Sequence, residues 1–218
     1  MLGVGYDVLR DAPRRSGPRG VRRTRGSDTV RVDLESFDRM YRRKGDPWDF
    51  ADSDYEQHRY RCSIQALHRV RYRRCFEPGC SIGVLTAKLA DRCDEVIACD
   101  ASAAAIEAAR HRLAAHTNVE LHTATLPEWW PTGRFDLVVF SELGYYWDVA
   151  ELEPLVDRLA DTVEPGGELL AVHWLGESGD HLLHGNDVHR ILTARLGVPE
   201  VRHVETDRFV LERWTVQP

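Results

Sequence analysis

Residues 76–90, FEPGCSIGVLTAKLA, decide how this chain is read. An apolar run ends at Glu77, a loop carrying Gly79 and Gly83 follows, and helical spacing resumes behind it. Strand, glycine-bearing loop and helix in that order form the unit that presents a ligand at a strand's carboxyl end in a parallel sheet. The loop lacks the Lys-Ser/Thr pair of a phosphate-cradling loop, which disfavours nucleotide hydrolysis. It also lacks the Gly-x-Gly-x-x-Gly fingerprint of dinucleotide binders and has Glu-x-Gly-x-x-x-Gly instead. A carboxylate at a strand end repels a pyrophosphate and attracts an ammonium group. Gly79 permits a tight turn, and Ser81 offers a hydroxyl or a cap for the next helix.

Outward from this stretch the pattern alternates. The segment DEVIACD predicts a second strand ending at Asp100, about twenty residues on, where an acid accepts from both hydroxyls of a ribose. SAAAIEAARHRLAAH predicts a helix with Ser102 as N-cap. NVELHTAT is a third strand, and RFDLVVFSE is a fourth, apolar enough to be buried on both faces. DVAELEPLVDRLADTV is a helix stopped by EPGG, ELLAVHW a fifth strand and NDVHRILTARLG a helix. EVRHVE and RFVLERWTV, joined by a turn at Thr206-Asp207, form an antiparallel pair. Upstream, helices are predicted near Asp33 and over Ser53–Arg69, and SIGVLTAKLADRC is expected to be helical throughout. The result is α/β, an open, mostly parallel sheet with helices on both faces. A ribose at one end and a cationic amino-acid group at the other, gripped by Asp100 and Glu77, fits S-adenosyl-L-methionine.

The bulk numbers agree with one domain. The 218 residues are 43% hydrophobic and 29% charged, with no apolar run long enough to span a bilayer and no secretory signal. Five cysteines without CxxC spacing point to reduced thiols and a cytoplasmic protein, and no metal is expected. Residues 1–28 carry seven arginines against three acids, a local +4 that leaves −10 for the rest. That segment reads as a disordered Arg-rich tail, and an acidic body is a poor partner for nucleic acid. No membrane partner is expected, and the state is monomer or homodimer.

Taken together, the Glu-x-Gly-x-x-x-Gly loop, Asp100, RFDLVVFSE and EPGGELLAVHW resemble the class I S-adenosylmethionine-dependent methyltransferases, over about residues 33–217. Four segments, DPWDFADSDYEQHRY, EPGCSIGVLTAKLADRCDEVIACDAS, WWPTGRFDLVVFSELGYYW and VHWLGESGDHLLHGNDVH, are similar to the nodulation protein S family of small N-methyltransferases. The departure is Ser81, where many relatives carry a middle glycine.

The resemblance implies a Rossmann-like, seven-stranded sheet of order 3-2-1-4-5-7-6 within residues 29–218. Residues 29–70 would be a helical lid and 71–218 the cofactor-binding core. It implies cofactor contacts from Glu77, Gly79, Ser81, Gly83, Asp100, Ala101 and Ser141, adenine near Thr125 and Leu126, and Trp48 and Arg59 over the methionine end. The reaction centre would lie past strand four, with Glu142, Tyr146 and His173 as catalytic groups. Tyr145, Trp174, His181 and His184 would shape the pocket of a small-molecule acceptor. The implied reaction is N-methylation of a small amine such as an amino sugar. O-methylation of a sugar or natural-product hydroxyl, with His173 as base, is the alternative. A non-catalytic binding module and a nicotinamide oxidoreductase are more distant readings.

Overall fold

A computed structural model of the chain describes residues 33–217; the Arg-rich segment 1–28 lies outside them. Seven strands form one sheet: β1 (Tyr72–Pro78), β2 (Cys93–Asp100), β3 (Val119–Thr123), β4 (Phe135–Ser141), β5 (Val163–Trp174), β6 (Arg202–Glu205) and β7 (Phe209–Thr215). Their order is β3-β2-β1-β4-β5-β7-β6, the order that the resemblance implies. Strands β1 to β5 pair in parallel, and β7 runs antiparallel to both β5 and β6.

Six helices accompany the sheet: α1 (Leu34–Lys44), α2 (Asp54–Ala66), α3 (Val84–Ala90), α4 (Ala103–Arg112), α5 (Val149–Thr162) and α6 (Gly185–Leu196). Strand alternation splits the core in two. Cys75, Leu137, Val139, Leu170 and Val172 face the cluster built with α2, α3 and α4. Their neighbours Phe76, Val138, Phe140, Leu169 and Ala171 face the cluster built with α5 and α6. All of β4 is buried, as its unbroken apolar run predicts.

Several boundaries differ from the sequence reading; α2 and α4, for example, end at Ala66 and Arg112, three and four residues short of their predicted ends. The helix after β1 is shorter than SIGVLTAKLADRC, because Gly83 adopts φ 78° and Cys93 already pairs with Tyr72 in the sheet. The helix before EPGG ends at Thr162, and β5 begins at Val163, so the Pro-Gly-Gly lies inside the strand's irregular start. The β4–β5 register shifts there, between Phe135 and Leu137, and Asp136 accepts the backbone N–H groups of Arg73 and Arg74 at 2.9 and 2.8 Å. A 3-10 turn at Gly144–Tyr146, absent from the sequence reading, follows β4. Ser102 and Asp148 cap α4 and α5 as their residue types favour. Among the described residues no helix is long and apolar enough to cross a membrane.

Strand order reverses between β1 and β4, so the loops after these two strands diverge and leave a crevice at their carboxyl ends. A cavity of about 740 Å³ opens there.

Candidate active site

The loop after β1 forms one wall. Gly79, Ser81 and Gly83 all take positive φ, at 74°, 52° and 78°. A Cβ at Gly83 would sit 2.9 Å from the Leu113 side chain, so this glycine lets α4 pack closely. Ser81 holds a conformation that a glycine takes freely and a serine rarely does. It is held by two contacts: its N–H donates to Asp100 Oδ2 at 2.9 Å, and its hydroxyl lies 2.6 Å from that of Tyr41. The loop therefore keeps its left-handed path without the middle glycine.

Asp100, at the tip of β2, lines the cavity. Its two oxygens accept the N–H groups of Ser81 and Ser102, each at 2.9 Å, and a carboxylate retains lone pairs for further donors. Burial raises its carboxyl above the usual range, and the two N–H groups pull it back only in part. Ala101, Thr125 and Leu126 line the same side, on the loops after β2 and β3.

Glu77 is placed differently from its prediction. It is only 3% exposed and lies beneath the loop, outside the residues that line the cavity. Its Oε2 is buried without a hydrogen-bond partner. Burial pushes its carboxyl up to about 8, the Thr86 hydroxyl offsets this only partly, and the Asp100 charge adds to it.

The other wall is built on the end of β4. Glu142 takes φ 56° and lines the cavity, a strained position of the kind found where a side chain must be aimed. Its Oε1 accepts the Trp174 N–H at 2.6 Å and its Oε2 the Tyr145 hydroxyl at 3.0 Å. The Tyr145 ring stacks on His181 with centroids 3.7 Å apart, and Tyr146 meets Tyr145 edge-on at 5.0 Å. Glu142, Tyr145, Tyr146, Trp174 and His181 thus converge on one part of the cavity, with Asp180 beside them. Burial pushes His181 down to about 4, against the pull of Asp180.

Besides Glu77 and Gly83, four predicted residues do not line the cavity. His173 is fully buried; its Nε2 accepts the Gly144 N–H at 3.0 Å and its Nδ1 lies 3.1 Å from His189 Nε2. Its place on β5 turns it toward α6, so it is a packed, hydrogen-bonded histidine and not a base open to an acceptor. Arg59 is 1% exposed and gives its Nε to Glu56 at 3.0 Å and Nη1 to Ser141 Oγ at 3.0 Å. It stands under the site, 3.8 Å from Glu142, and both it and Ser141 are screened from the cavity. His184 caps α6, with Nε2 2.8 Å from the Leu175 carbonyl.

Helix α1 and the segment that follows it line a further side of the cavity. Trp48 lines it, stacked on Phe37 and Phe50 with centroids 5.8 and 5.7 Å away, and Phe37 meets Tyr146 edge-on at 5.3 Å. Asp38 ties α1 to the β2–α4 turn by accepting from Ser102 Oγ at 2.8 Å and Ala104 N at 3.0 Å. The Ala104 N–H, Arg42 and Ser102 hold its carboxyl down at about 2. The sequence reading does not place Phe37, Asp38 or Asp180 among the site residues. Phe37 stands four residues before Tyr41 on α1, and both line the cavity.

The family model for Nodulation protein S (NodS) matches residues 35–209, most of the chain. The chain belongs to the nodulation protein S family. A nodulation protein S of Rhizobium tropici is 28% identical over 176 residues, 77% of this chain and 69% of that protein. That of Bradyrhizobium diazoefficiens is 30% identical over 127 residues, 57% of this chain and 61% of that protein. Among solved structures, one from Pseudomonas syringae, provisionally named a methyltransferase, is 42% identical and has a TM-score of 0.67. It covers 74% of this chain and 98% of that one. The N-methyltransferase NodS of Bradyrhizobium japonicum WM9, solved with S-adenosyl-L-homocysteine, has a TM-score of 0.72 at 23% identity, over 84% of this chain and 98% of that one. The chain is an S-adenosylmethionine-dependent methyltransferase.

Within this family fold the described residues suit such a cofactor on their own chemistry. A buried carboxylate oxygen without a partner at Glu77 suits a cation, and Asp100 at the neighbouring strand tip suits vicinal hydroxyls. His173, His181 and His184 do not converge on a metal site. The one group of metal-type ligands among the described residues, Glu200, His203 and Glu212, lies on the β6–β7 side of the sheet.

Proposed function

We propose that this methyltransferase N-methylates a small amine, of which an amino sugar is the best-supported class. Asp100 would take the ribose of S-adenosyl-L-methionine, Glu77 would balance its amino-acid end, and Thr125 and Leu126 would border adenine. Trp48 on the N-terminal cover would close over the bound pair. When bound, the cofactor supplies a methyl carbon activated by its sulfonium.

Glu142 carries the reading. Its strained backbone and its two anchored oxygens aim a carboxylate at a cavity wall otherwise made of Tyr145, Tyr146 and Trp174. A carboxylate among aromatic faces suits an ammonium, through charge and cation–π attraction of ~0.5–2 kcal/mol. Asp180 adds a second acid beside it.

The basicity of the site supports an amine over a hydroxyl. His173 is locked away, and His181 is a neutral imidazole held at about 4, too weak a base to ionise an alcohol. An amine with the pKa of an α-amino group, ~7.7–8.0, supplies free base at neutral pH without help. The chain's task is then to orient that lone pair and exclude water, which can supply several kcal/mol of a barrier.

The test is incubation with labelled cofactor and paired acceptors, deacetylated and N-acetylated chito-oligosaccharides and amino monosaccharides, read by mass spectrometry. Transfer to the free amines alone is expected. Methyl groups found on oxygen, or equal transfer to both members of a pair, overturn the proposal.

A further inference from the structure

Behind the reaction-centre wall runs a buried chain of polar groups that nothing above uses. His173 on β5 is fully buried, and His189 on α6 and Glu212 on β7 are 4% and 8% exposed. The Gly144 N–H donates to His173 Nε2 at 3.0 Å. His173 Nδ1 lies 3.1 Å from His189 Nε2, and His189 Nδ1 lies 2.7 Å from Glu212 Oε2. Glu212 Oε1 then meets His203 Nδ1 on β6 at 2.8 Å, where the chain reaches solvent.

The direction of every bond follows from its two ends. A backbone N–H only donates, so His173 Nε2 carries no proton and Nδ1 must. That proton goes to His189 Nε2, which is then bare, and His189 donates from Nδ1 to Glu212. The carboxylate only accepts, so both ends agree and neither imidazole is charged. Burial lowers both histidines, which fits. Reversing one tautomer would set two N–H groups against each other. A Cβ on Gly144 would lie 2.4 Å from Val188 of α6 and 2.9 Å from His173 Nε2.

Gly144 opens the 3-10 turn that follows Glu142 and carries Tyr145 and Tyr146. We propose that His189 and Glu212 are positioning residues for methyl transfer: they fix the tautomer of His173, which holds the turn that aims Glu142 and the two tyrosines. This rests on the reading that the turn borders the acceptor. The requirement at residue 189 is specific: one group that both accepts from His173 and donates to Glu212.

Histidine-labelled full-length protein, studied by nitrogen-15 NMR, tests the tautomers without any acceptor. His173 is expected to be protonated at Nδ1 and bare at Nε2, and His189 likewise; the opposite tautomer or an imidazolium at either overturns the proposal. His189→Gln retains an acceptor and a donor on one amide, whereas His189→Leu has neither. In His189→Leu, turnover of whichever amine the wild type methylates should fall ~10–100-fold, the scale of a small misplacement of reacting groups. Affinity for S-adenosyl-L-homocysteine should stay within about twofold, since its contacts lie on the other wall, and His189→Gln should recover most of the turnover. Equal turnover in the two variants, or a parallel loss of cofactor affinity, overturns it. If no amine is methylated, the proposed function fails by itself. The relay is then judged by the Tyr145 ring resonances, which must shift in His189→Leu and stay in His189→Gln.

Discussion

Replacing Glu77 by glutamine should favour the ligand-free protein increasingly as the pH rises and weaken the liganded one. In the folded chain the Glu77 carboxyl is pushed from 4.5 to about 8 by burial, with Asp100 adding to the effect. A folded-state value above the unfolded one means that the native protein binds this proton more tightly. Its stability is therefore full below pH 4.5 and is lost progressively as the pH rises toward 8. At ~1.4 kcal/mol per unit, the wild type should lose up to ~3 kcal/mol relative to Glu77→Gln between pH 5.5 and 8.5. An amide there costs ~1–3 kcal/mol for its own unpaired polar group at every pH. The clean readout is therefore the change of the difference with pH. In a chain of this size ~3 kcal/mol corresponds to ~6–12 °C in Tm. Calorimetric scans of both proteins at the two pH values measure it. Titration with S-adenosyl-L-homocysteine should show the opposite preference, with affinity of the variant down ~10–100-fold for loss of a charged partner. A difference in Tm that does not move with pH would refute the reasoning, because Glu77 would then be ionised or exposed. Unchanged affinity would show that the orphaned oxygen serves the apo fold alone.

Two further substitutions separate structural from ligand roles. Arg59→Ala removes the guanidinium paired with the fully buried Glu56, so urea unfolding should show a loss of ~3–5 kcal/mol; intact stability with weakened cofactor binding would return Arg59 to the methionine end. At position 81 both alanine and glycine lose the 2.6 Å contact with Tyr41, but only glycine also relieves the left-handed strain of φ 52°. Ser81→Gly should stay near wild-type stability and Ser81→Ala fall ~1 kcal/mol below it; equal urea midpoints for the two would contradict the backbone path of the loop.

The sheet was legible because its signals are local and repeated. A parallel strand buried on both faces must be an apolar run such as FDLVVF, and each glycine-bearing or capped turn marks where a helix begins. Asp100 and Gly79 were legible for the same reason: their positions at a strand end and in the next turn follow from chain order alone. The length of α3 was not, because nothing in Ala90-Asp91-Arg92 breaks a helix by its own preference. Pairing of Tyr72 with Cys93 pulls the chain into β2, and that pairing is tertiary.

Side-chain direction was the harder quantity. His173, Arg59 and Ser141 were all placed near the right strand ends, yet each turned out to face a protein partner. Whether a residue at a strand tip faces ligand or core depends on which helix covers that face. One signal for His173 was nevertheless present. Glu212 stands in FVLERW, a strand whose other residues are apolar or packed, and a buried carboxylate demands donors. They come from His189 on α6 and His203 on β6, and His189 in turn pairs with His173. The sequence reading gives His173 a catalytic role, whereas following the hydrogen bonds that Glu212 needs leads through His189 to a buried His173. The same question applied to Glu77 leaves its Oε2 unanswered inside the protein, and this is why Glu77 is read as waiting for a cation while His173 is not read as waiting for a substrate.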